Sequence, residues 1–523
     1  MYRKKAIIGI FILGVLLSGG GYWFLKGNSL LLQLGNQSKL EISSPFTKVK
    51  EIDKTTEKIA GSKEISHTYV LVRFGMRVGY INITTRQLPN GDFFLFHKLR
   101  ALENKSIETT SSLTVDKSQK VNLIPWNETE ESDTHHKNFG TDPTTNPVGR
   151  YTFQTKSEEI QLVQGKTFLT TEKKKEYDSG NESVIRELVG EQNASSLSKS
   201  RSLNIKLQAE DNEISETWSI VSEKGFFRSP LIEKEWIQTL SEKKTETNNW
   251  YTSEGPYNKL PWSIEPFTKM GYGRNLGDMQ EDTALTLYKD KGERFFQDLV
   301  YNSLVDLEKY KSRKHTSLWP TEYTSTWLKK AYETTAPYYD TRHNEFISYF
   351  LDEAYQALNI KQPDRSIIQY ADFLLEQTEK GKIIPTENGH LLTDYFKEGS
   401  PILTHASLNH ELGGIKILLH SFLSSGNDKY LAQARKLLNG IDDLGTDWIR
   451  ESGDLWYQVN PDLTFTGNDY EQLTLIDLLE TRELLTEVNH INYPILDDLI
   501  DSKLDYLSRN NIEYHPKVKE LLE

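Results

Sequence analysis

The feature that most constrains this chain is a change of hydrophobic period part-way along it. Between about residues 63 and 250 apolar residues recur every second position. "TYVLVRFGMRVGYINITTRQLPNGDFFLFHKL" holds β-branched and aromatic runs, and Asn90-Gly91 between them is a strong hairpin signal. "RYTFQTKSEEIQLVQGKTFLTT" and "ETWSIVSEKGFFRSPLI" repeat the pattern, with turns expected at Gly165 and Gly225. The segment "ETEESDTHHKNFGTDPTTNPVG" reads as a long polar loop, in which His135 and His136 are solvated loop residues rather than metal ligands. Beyond about residue 280 the period becomes 3.6. Ile347, Phe350, Leu351, Ala354 and Leu358 form one stripe, and Ile367, Tyr370, Ala371 and Leu374 a second, starting near Pro363-Asp364. Further stripes run through Leu408–Phe422, Leu431–Ile441, Leu475–Leu484 and Leu496–Leu507. Short links such as "SSGND" imply antiparallel helical neighbours. An α+β multidomain chain follows, with a β-rich domain ahead of paired helices that suggest an α/α toroid; a plain helical bundle is the alternative.

The N-terminus sets the expected compartment. Arg3, Lys4 and Lys5 precede an uncharged apolar stretch over residues 6–25, and about 20 such residues suffice to cross a bilayer as a helix. The positive flank places that end in the cytoplasm and the bulk of the chain outside. Ser18 to Gly21 also fit a signal-peptidase site, but the apolar run exceeds the roughly 7–15 residues of a typical signal peptide. The expected layout is a single-pass membrane anchor over 1–26, a stalk over 27–62, a β-rich domain over 63–250 and a toroid over 251–523. The chain has no cysteine, which excludes disulfides and thiolate catalysis and fits a bacterial surface protein. A net charge of −13 argues against nucleic acid as a partner. A homodimer remains open.

"SLNHELGGIKILLHSF" begins like a zinc-protease helix, but the second histidine of H-E-x-x-H would fall at Gly414. No metal site or cofactor is therefore expected. Gly413 and Gly414 each cost a helix about 1 kcal/mol relative to Ala, which close packing against a neighbouring helix would offset.

Three stretches in the helical half resemble the C-terminal domain of the D-glucuronyl C5-epimerases. They are "DYFKEGSPILTHASLNHELGGIKILLHSF" with its Leu408-Asn409 pair, "GDLWYQV" with Tyr457, and "FTGNDYEQLTLIDLL" with Asp469-Tyr470. The resemblance covers about a third of the chain, from Trp327 to Leu485. It implies an α/α toroid behind β-rich domains, a membrane anchor and a uronate-containing polysaccharide as substrate. Two places depart from the family: Gln458, Val459 and Asn460 stand where an arginine would follow the strand tyrosine, and "PYYDTRHNEFISYF" replaces a glutamine-rich helix start.

Epimerisation at C5 removes a proton α to a carboxylate and returns one to the other face. It needs positive charge or strong donors at the carboxylate, plus an acid and a base across the ring. A tyrosine can serve if a neighbouring cation lowers its pKa. The resemblance implies Tyr457 and Tyr470 as the proton-transfer pair and Tyr395 as a third site tyrosine. Arg342, His343 and His405 are candidates to hold the carboxylate, with Asn409 and Glu398 as polar or acid–base partners. The bland readings stay beside these: packing tyrosines, Arg342 paired with Glu345, Glu398 a solvated loop charge, and Asn468 or Asp469 a helix cap. A polysaccharide lyase, a hydrolase with two carboxylates, and a non-catalytic glycan-binding or cell-envelope assembly factor are the competing functions.

Overall fold

The computed structural model describes residues 29–34, 37–126, 133–136, 140–143, 146–244, 249–362, 365–488 and 493–523. The expected membrane span over 6–25 and the helix start at Pro363-Asp364 lie outside them. Among the described residues no helix is long and apolar enough to cross a membrane. The chain divides into two compact units, one of residues 1–175, 184–275 and 281–309, the other of 176–183, 276–280 and 310–523.

The first unit is built on two antiparallel sheets. In the smaller, strands Leu30–Leu34, Ser38–Ser43, Ser106–Val115, Leu203–Glu210 and Ser195–Leu197 lie side by side in that order. In the larger, Lys48–Ile59, Ser62–Arg73, Met76–Gln87, Phe93–Ala101 and Ile214–Ser222 are successive neighbours. Alternation does what the sequence implies: Leu203, Ile205, Leu207 and Ala209 point inward while the residues between them are exposed or half-buried. Leu40, Ile42, Ile81, Ile83, Leu95, Leu99, Ile205 and Leu207 share one core between the sheets. Asn90-Gly91 sits in the tight turn joining Met76–Gln87 to Phe93–Ala101. Gly91 takes φ +96° there, and the Asn90 side chain accepts a bond from the Asp92 amide.

Two expectations need correction. The stalk over 27–62 carries three strands, Leu30–Leu34, Ser38–Ser43 and Lys48–Ile59, all paired into the sheets. The polar loop around His135 contains a small hairpin, Asp133–His136 against Gly140–Pro143. Three helices follow the strands: α1 (Pro230–Lys244), α2 (Asp282–Lys291) and α3 (Arg294–Lys314). Within the first unit α3 is tied to the larger sheet by a fully buried Arg86, which bonds Glu64, Asn302 and Asp306 at 2.6–2.9 Å.

The second unit is mainly helical. Its helices are α4 (Thr326–Tyr332), α5 (Thr341–Ala357), α6 (Ser366–Glu379), α7 (Leu408–Ser425), α8 (Asp428–Leu444), α9 (Leu473–Glu487), α10 (Pro494–Arg509) and α11 (Pro516–Leu522). Asp340 caps α5 by accepting from the His343 amide at 3.0 Å. Gly426, in the left-handed region at φ 66°, ends α7 and turns the chain directly into α8. Helix α7 packs against α5, α6, α8 and α9. It is not amphipathic over its first three turns, because every residue from Leu408 to Leu419 is buried. A helix enclosed on all sides must satisfy its polar groups internally, and that requirement shapes the site described next. Short strands connect the helices: Tyr339–Asp340 pairs with Tyr395–Phe396, while Ala406–Ser407, Trp456–Val459 and Phe465–Asn468 form a three-stranded ribbon.

Candidate functional site

The ribbon and the N-terminus of α7 bring together residues that lie far apart in sequence. Asp394, fully buried, follows the strand His390–Leu392, and its position is fixed through both backbone and side chain. Its carbonyl accepts from the Thr341 amide and hydroxyl, each at 3.0 Å. One carboxylate oxygen accepts from the Ser407 amide at 2.8 Å, and the other accepts from the Ser407 hydroxyl. That second oxygen also lies 3.0 Å from His405 Nε2, a contact bent away from a straight hydrogen bond, and 3.7 Å from His410 Nδ1. Burial alone would raise the Asp394 pKa, but His410, His405 and Ser407 outweigh it and hold the carboxyl below its ordinary value.

The two histidines are oriented differently. The Thr341 hydroxyl donates to Asp394, so it accepts from Nδ1–H of His410 at 2.7 Å. In His405, Nε2 faces the carboxylate, and Nδ1 shares a hydrogen bond with the Tyr332 hydroxyl, 3.0 Å away. Burial pulls the pKa of His410 down.

Aromatic rings surround His405. Trp327, Tyr332, Tyr395 and Tyr457 have centroids 5.5, 5.6, 5.8 and 6.3 Å from its ring. Tyr470 meets Tyr457 edge-on at 5.6 Å. Trp327 and Tyr470 are 47% and 49% exposed, so the cluster opens to solvent at both and closes onto Asp394. The three sequence-predicted tyrosines, Tyr395, Tyr457 and Tyr470, thus share one site with His405.

The expected activation of those tyrosines is not what the structure provides. Burial raises the pKa of Tyr395, and Asp340 adds to it. Tyr457 is raised as well, by burial and then by Asp394, with the Ser407 hydroxyl working in the opposite direction. These phenols are proton donors at rest, because the carboxylates beside them disfavour a second negative charge.

The remaining candidates lie elsewhere. Arg342 bonds Glu345 and Asp477, each at 2.7 Å, and the Asn409 carbonyl at 3.1 Å. Lys416 completes the network, reaching Asp477 at 2.6 Å and Glu480 at 2.8 Å. The guanidinium charge is therefore spent on tying α5 to α9 across α7. Glu398 is 72% exposed in a turn and pairs with Lys380. His343 is 28% exposed and 3.7 Å from Asp340. Asn409 is buried, and its side-chain carbonyl has no hydrogen-bond donor among the described residues. Asp469 does not cap α9, whose N-cap is Gln472; it accepts from Thr474 and from Lys503. Among the described residues no cluster of histidine and carboxylate side chains has metal-binding geometry.

Sequence reasoning missed Trp327, Tyr332, Asp394 and Ser407. Asp394 and Ser407 stand inside the stretch that carries the family resemblance, beside Tyr395 and Leu408. Tyr332 has no local signal, since its role depends on a histidine 73 positions away.

No protein-family model matches the chain, and no curated protein matches it. Similar solved structures include a D-mannose isomerase, with 16% identity and a TM-score of 0.32 over 43% of this chain and 59% of that one. A family 76 glycoside hydrolase (mannosidase) from Bacteroides thetaiotaomicron has 11% identity and a TM-score of 0.32, covering 48% of this chain and 66% of that one. A rhamnosidase from Klebsiella oxytoca has 11% identity and a TM-score of 0.28, covering 76% and 86%. The chain spans less than two thirds of the length of the first two.

Proposed function

We propose that this is a membrane-anchored extracytoplasmic protein whose helical unit is an α/α toroid acting on a uronate-containing polysaccharide. The reaction proposed is proton transfer at C5, leading to epimerisation. The observation that carries this reading is the cluster of Tyr332, Tyr395 and Tyr457 around a buried His405–Asp394 pair, open to solvent at Trp327 and Tyr470. Phenols and imidazoles move protons without a metal. Tyr457, with Ser407 and Asp394 behind it, is the proton donor. Tyr470 is the second phenol, on the open side, and Trp327 offers a face for a sugar ring. His343, partly exposed and near Asp340, is the group left to meet the substrate carboxylate now that Arg342 is engaged.

A hydrolase is less well supported. It needs two carboxylates flanking the scissile bond, whereas Asp394 is enclosed and Asp469 is locked to Lys503. A lyase shares the first proton abstraction and differs in eliminating the 4-linked sugar.

The test is solvent-deuterium exchange on uronate polymers with the intact protein. Incorporation at C5 without an unsaturated product supports epimerisation, and an unsaturated product means a lyase. Saturable binding with neither leaves a binding protein, and the proposal fails. Tyr457→Phe should lower exchange by about 10²- to 10⁴-fold while leaving folding nearly unchanged, because only a hydroxyl is lost.

A further inference from the structure

Two acceptors in the helical unit are fixed at one end and bare at the other. Asp340 is 8% exposed, and its Oδ1 accepts from the His343 amide at 3.0 Å as the cap of α5. Its Oδ2 lies 3.7 Å from His343 Nδ1, beyond hydrogen-bond reach, and accepts from no other group among the described residues. His410 is 9% exposed, and its Nδ1–H donates to the Thr341 hydroxyl at 2.7 Å. The Asp394 carboxylate, 3.7 Å from the same nitrogen, also favours the proton there. Nε2 is then a lone pair with no partner among the described residues. Unlike His405 Nε2, neither bare atom is sealed from solvent. We propose that Asp340 Oδ2 and His410 Nε2 form an acceptor pair that takes two adjacent free hydroxyls of a sugar ring. This rests on the glycan-binding part of the reading above and not on proton transfer at C5.

The fold places this pair beside the aromatic cluster. Asp340 stands directly opposite Tyr395 in its two-stranded ribbon. The Tyr395 ring is 6.2 Å from the His410 ring and 6.0 Å from Trp327. One phenol therefore adjoins both the exposed indole and the histidine. Thr341, the residue after Asp340, is the one that holds His410, so the two acceptors are positioned by neighbouring residues of one chain segment. The Asp340 charge also raises the Tyr395 and Tyr457 phenols, as a carboxylate standing beside both would.

The chemistry of the pair selects its ligand. Burial pulls the His410 pKa down and keeps the ring neutral, and an ionised carboxylate only accepts. Neither bare atom can bond an anion, so each is met by an O–H or N–H group of the ligand. In a 4-linked uronate the oxygens on C1 and C4 lie in glycosidic bonds and C5 carries the charged carboxylate. The free donors are the hydroxyls on C2 and C3, which are adjacent on the ring. One can donate to the carboxylate and the other to the imidazole. A substituent on either oxygen removes a donor and leaves a buried acceptor unpaired, which is a stronger discrimination than lost contact area alone.

The test compares a 4-linked D-glucuronate tetrasaccharide with the same oligosaccharide O-methylated at C2 and C3, on the intact protein. Nitrogen-15 NMR should show His410 as the Nδ1–H tautomer, with an Nε2 resonance that moves on saturation with the unmethylated sugar. Asp340→Asn keeps the cap through Oδ1 and turns the bare oxygen into a donor, and should weaken binding about 10- to 100-fold. His410→Asn keeps an N–H toward Thr341 and deletes Nε2, and should weaken it about two- to tenfold. Methylation should weaken wild-type binding by at least about tenfold and should cost each variant less, a difference that a merely structural role would not produce. An Nε2–H tautomer, an Nε2 resonance unmoved at saturation, or equal binding of the two sugars overturns the proposal, while C5 exchange in the wild type would still sustain the epimerase reading. Saturable binding that moves Nε2 without any C5 exchange sustains the proposal, and the epimerase reading then fails alone. Absence of binding to the tetrasaccharide overturns the acceptor pair.

Discussion

Gly413 of α7 lies directly against Glu345 of α5: a methyl group built on Gly413 would sit 1.9 Å from the Glu345 carboxylate oxygen and 2.8 Å from Arg342 Nη1. The glycine is the space in which the Arg342–Glu345–Asp477–Lys416 network forms. Gly414, one position on, would meet only Leu374 at 3.5 Å and Leu437 at 3.9 Å, both ordinary contacts. Two adjacent glycines in one helix thus have different reasons to exist.

Their alanine variants should differ in sign. Gly413→Ala must push the Glu345 carboxylate off Arg342, and breaking a buried ion pair costs about 3–5 kcal/mol. The better helix propensity of alanine returns only about 1 kcal/mol. Gly414→Ala gains that propensity without a clash and should be neutral or slightly stabilising. Urea midpoints of the two variants at pH 7 check this; no loss in either would mean that the clash at Glu345 relaxes freely.

Arg342→Ala should act on stability rather than on substrate affinity. It leaves Glu345 and Asp477 buried with only Lys416 to compensate, at a cost of about 3–5 kcal/mol. Per folded molecule, KM and kcat should stay near wild type. A raised KM with unchanged stability would restore Arg342 to the substrate carboxylate.

How far the sequence could be read follows from the range of each interaction. The stripe Ile347, Phe350, Leu351, Ala354 and the turn at Asn90-Gly91 depend on neighbours within a few residues, and both are legible. Strand Lys48–Ile59 is not, since nearly all of it is exposed and period-two alternation needs one buried face. Arg342 meets Asp477 across 135 positions, so the sequence could pair it with Glu345 but could not show the charge fully spent. The tyrosines of the site were found through short motifs. The Asp394 hub was passed over because a lone aspartate before a tyrosine carries no pattern of its own.

A buried histidine in the first unit gives a pH signature. His97, on Phe93–Ala101, lies opposite Ile83 and Thr217, is 1% exposed, and neither ring nitrogen has a hydrogen-bond partner among the described residues. Burial pushes its pKa down to about 4. Because the folded value is depressed, the unfolded chain binds the proton first as pH falls. Stability is therefore full above pH 6.5 and is lost on descending to about 4, by about 3 kcal/mol from this one residue. His97→Leu should remove that share of the slope and gain about 1–2 kcal/mol at pH 7 by deleting unpaired polar atoms. Denaturation curves at pH 7 and pH 5 measure both, and an unchanged slope would place the titration elsewhere.

Tyr470 admits two roles that one pair of substitutions separates. Its ring is half exposed and stands edge-on to Tyr457, and its backbone carbonyl is held at 2.8 Å by Lys503, which also binds Asp454 and Asp469. The ring is thus held at the mouth of the site by a buried ion cluster. If its hydroxyl transfers a proton, Tyr470→Phe loses about 10²- to 10⁴-fold in turnover. If the ring is a platform for a sugar, phenylalanine keeps the function and only Tyr470→Ala loses it, as a rise in KM with kcat preserved. Trp327→Ala supplies the reference, since that indole is equally exposed and has no proton to transfer in this chemistry. Aromatic contacts of about 0.5–1.5 kcal/mol correspond to roughly two- to twelvefold in affinity, so its KM should rise within that range. With Tyr457 as donor, Tyr470 is the phenol left on the open side for the second proton transfer. The expected result is therefore a large loss of turnover in Tyr470→Phe. A Tyr470→Phe variant that resembles wild type, with Tyr470→Ala resembling Trp327→Ala, would instead make the ring a platform and remove Tyr470 from the proton-transfer pair.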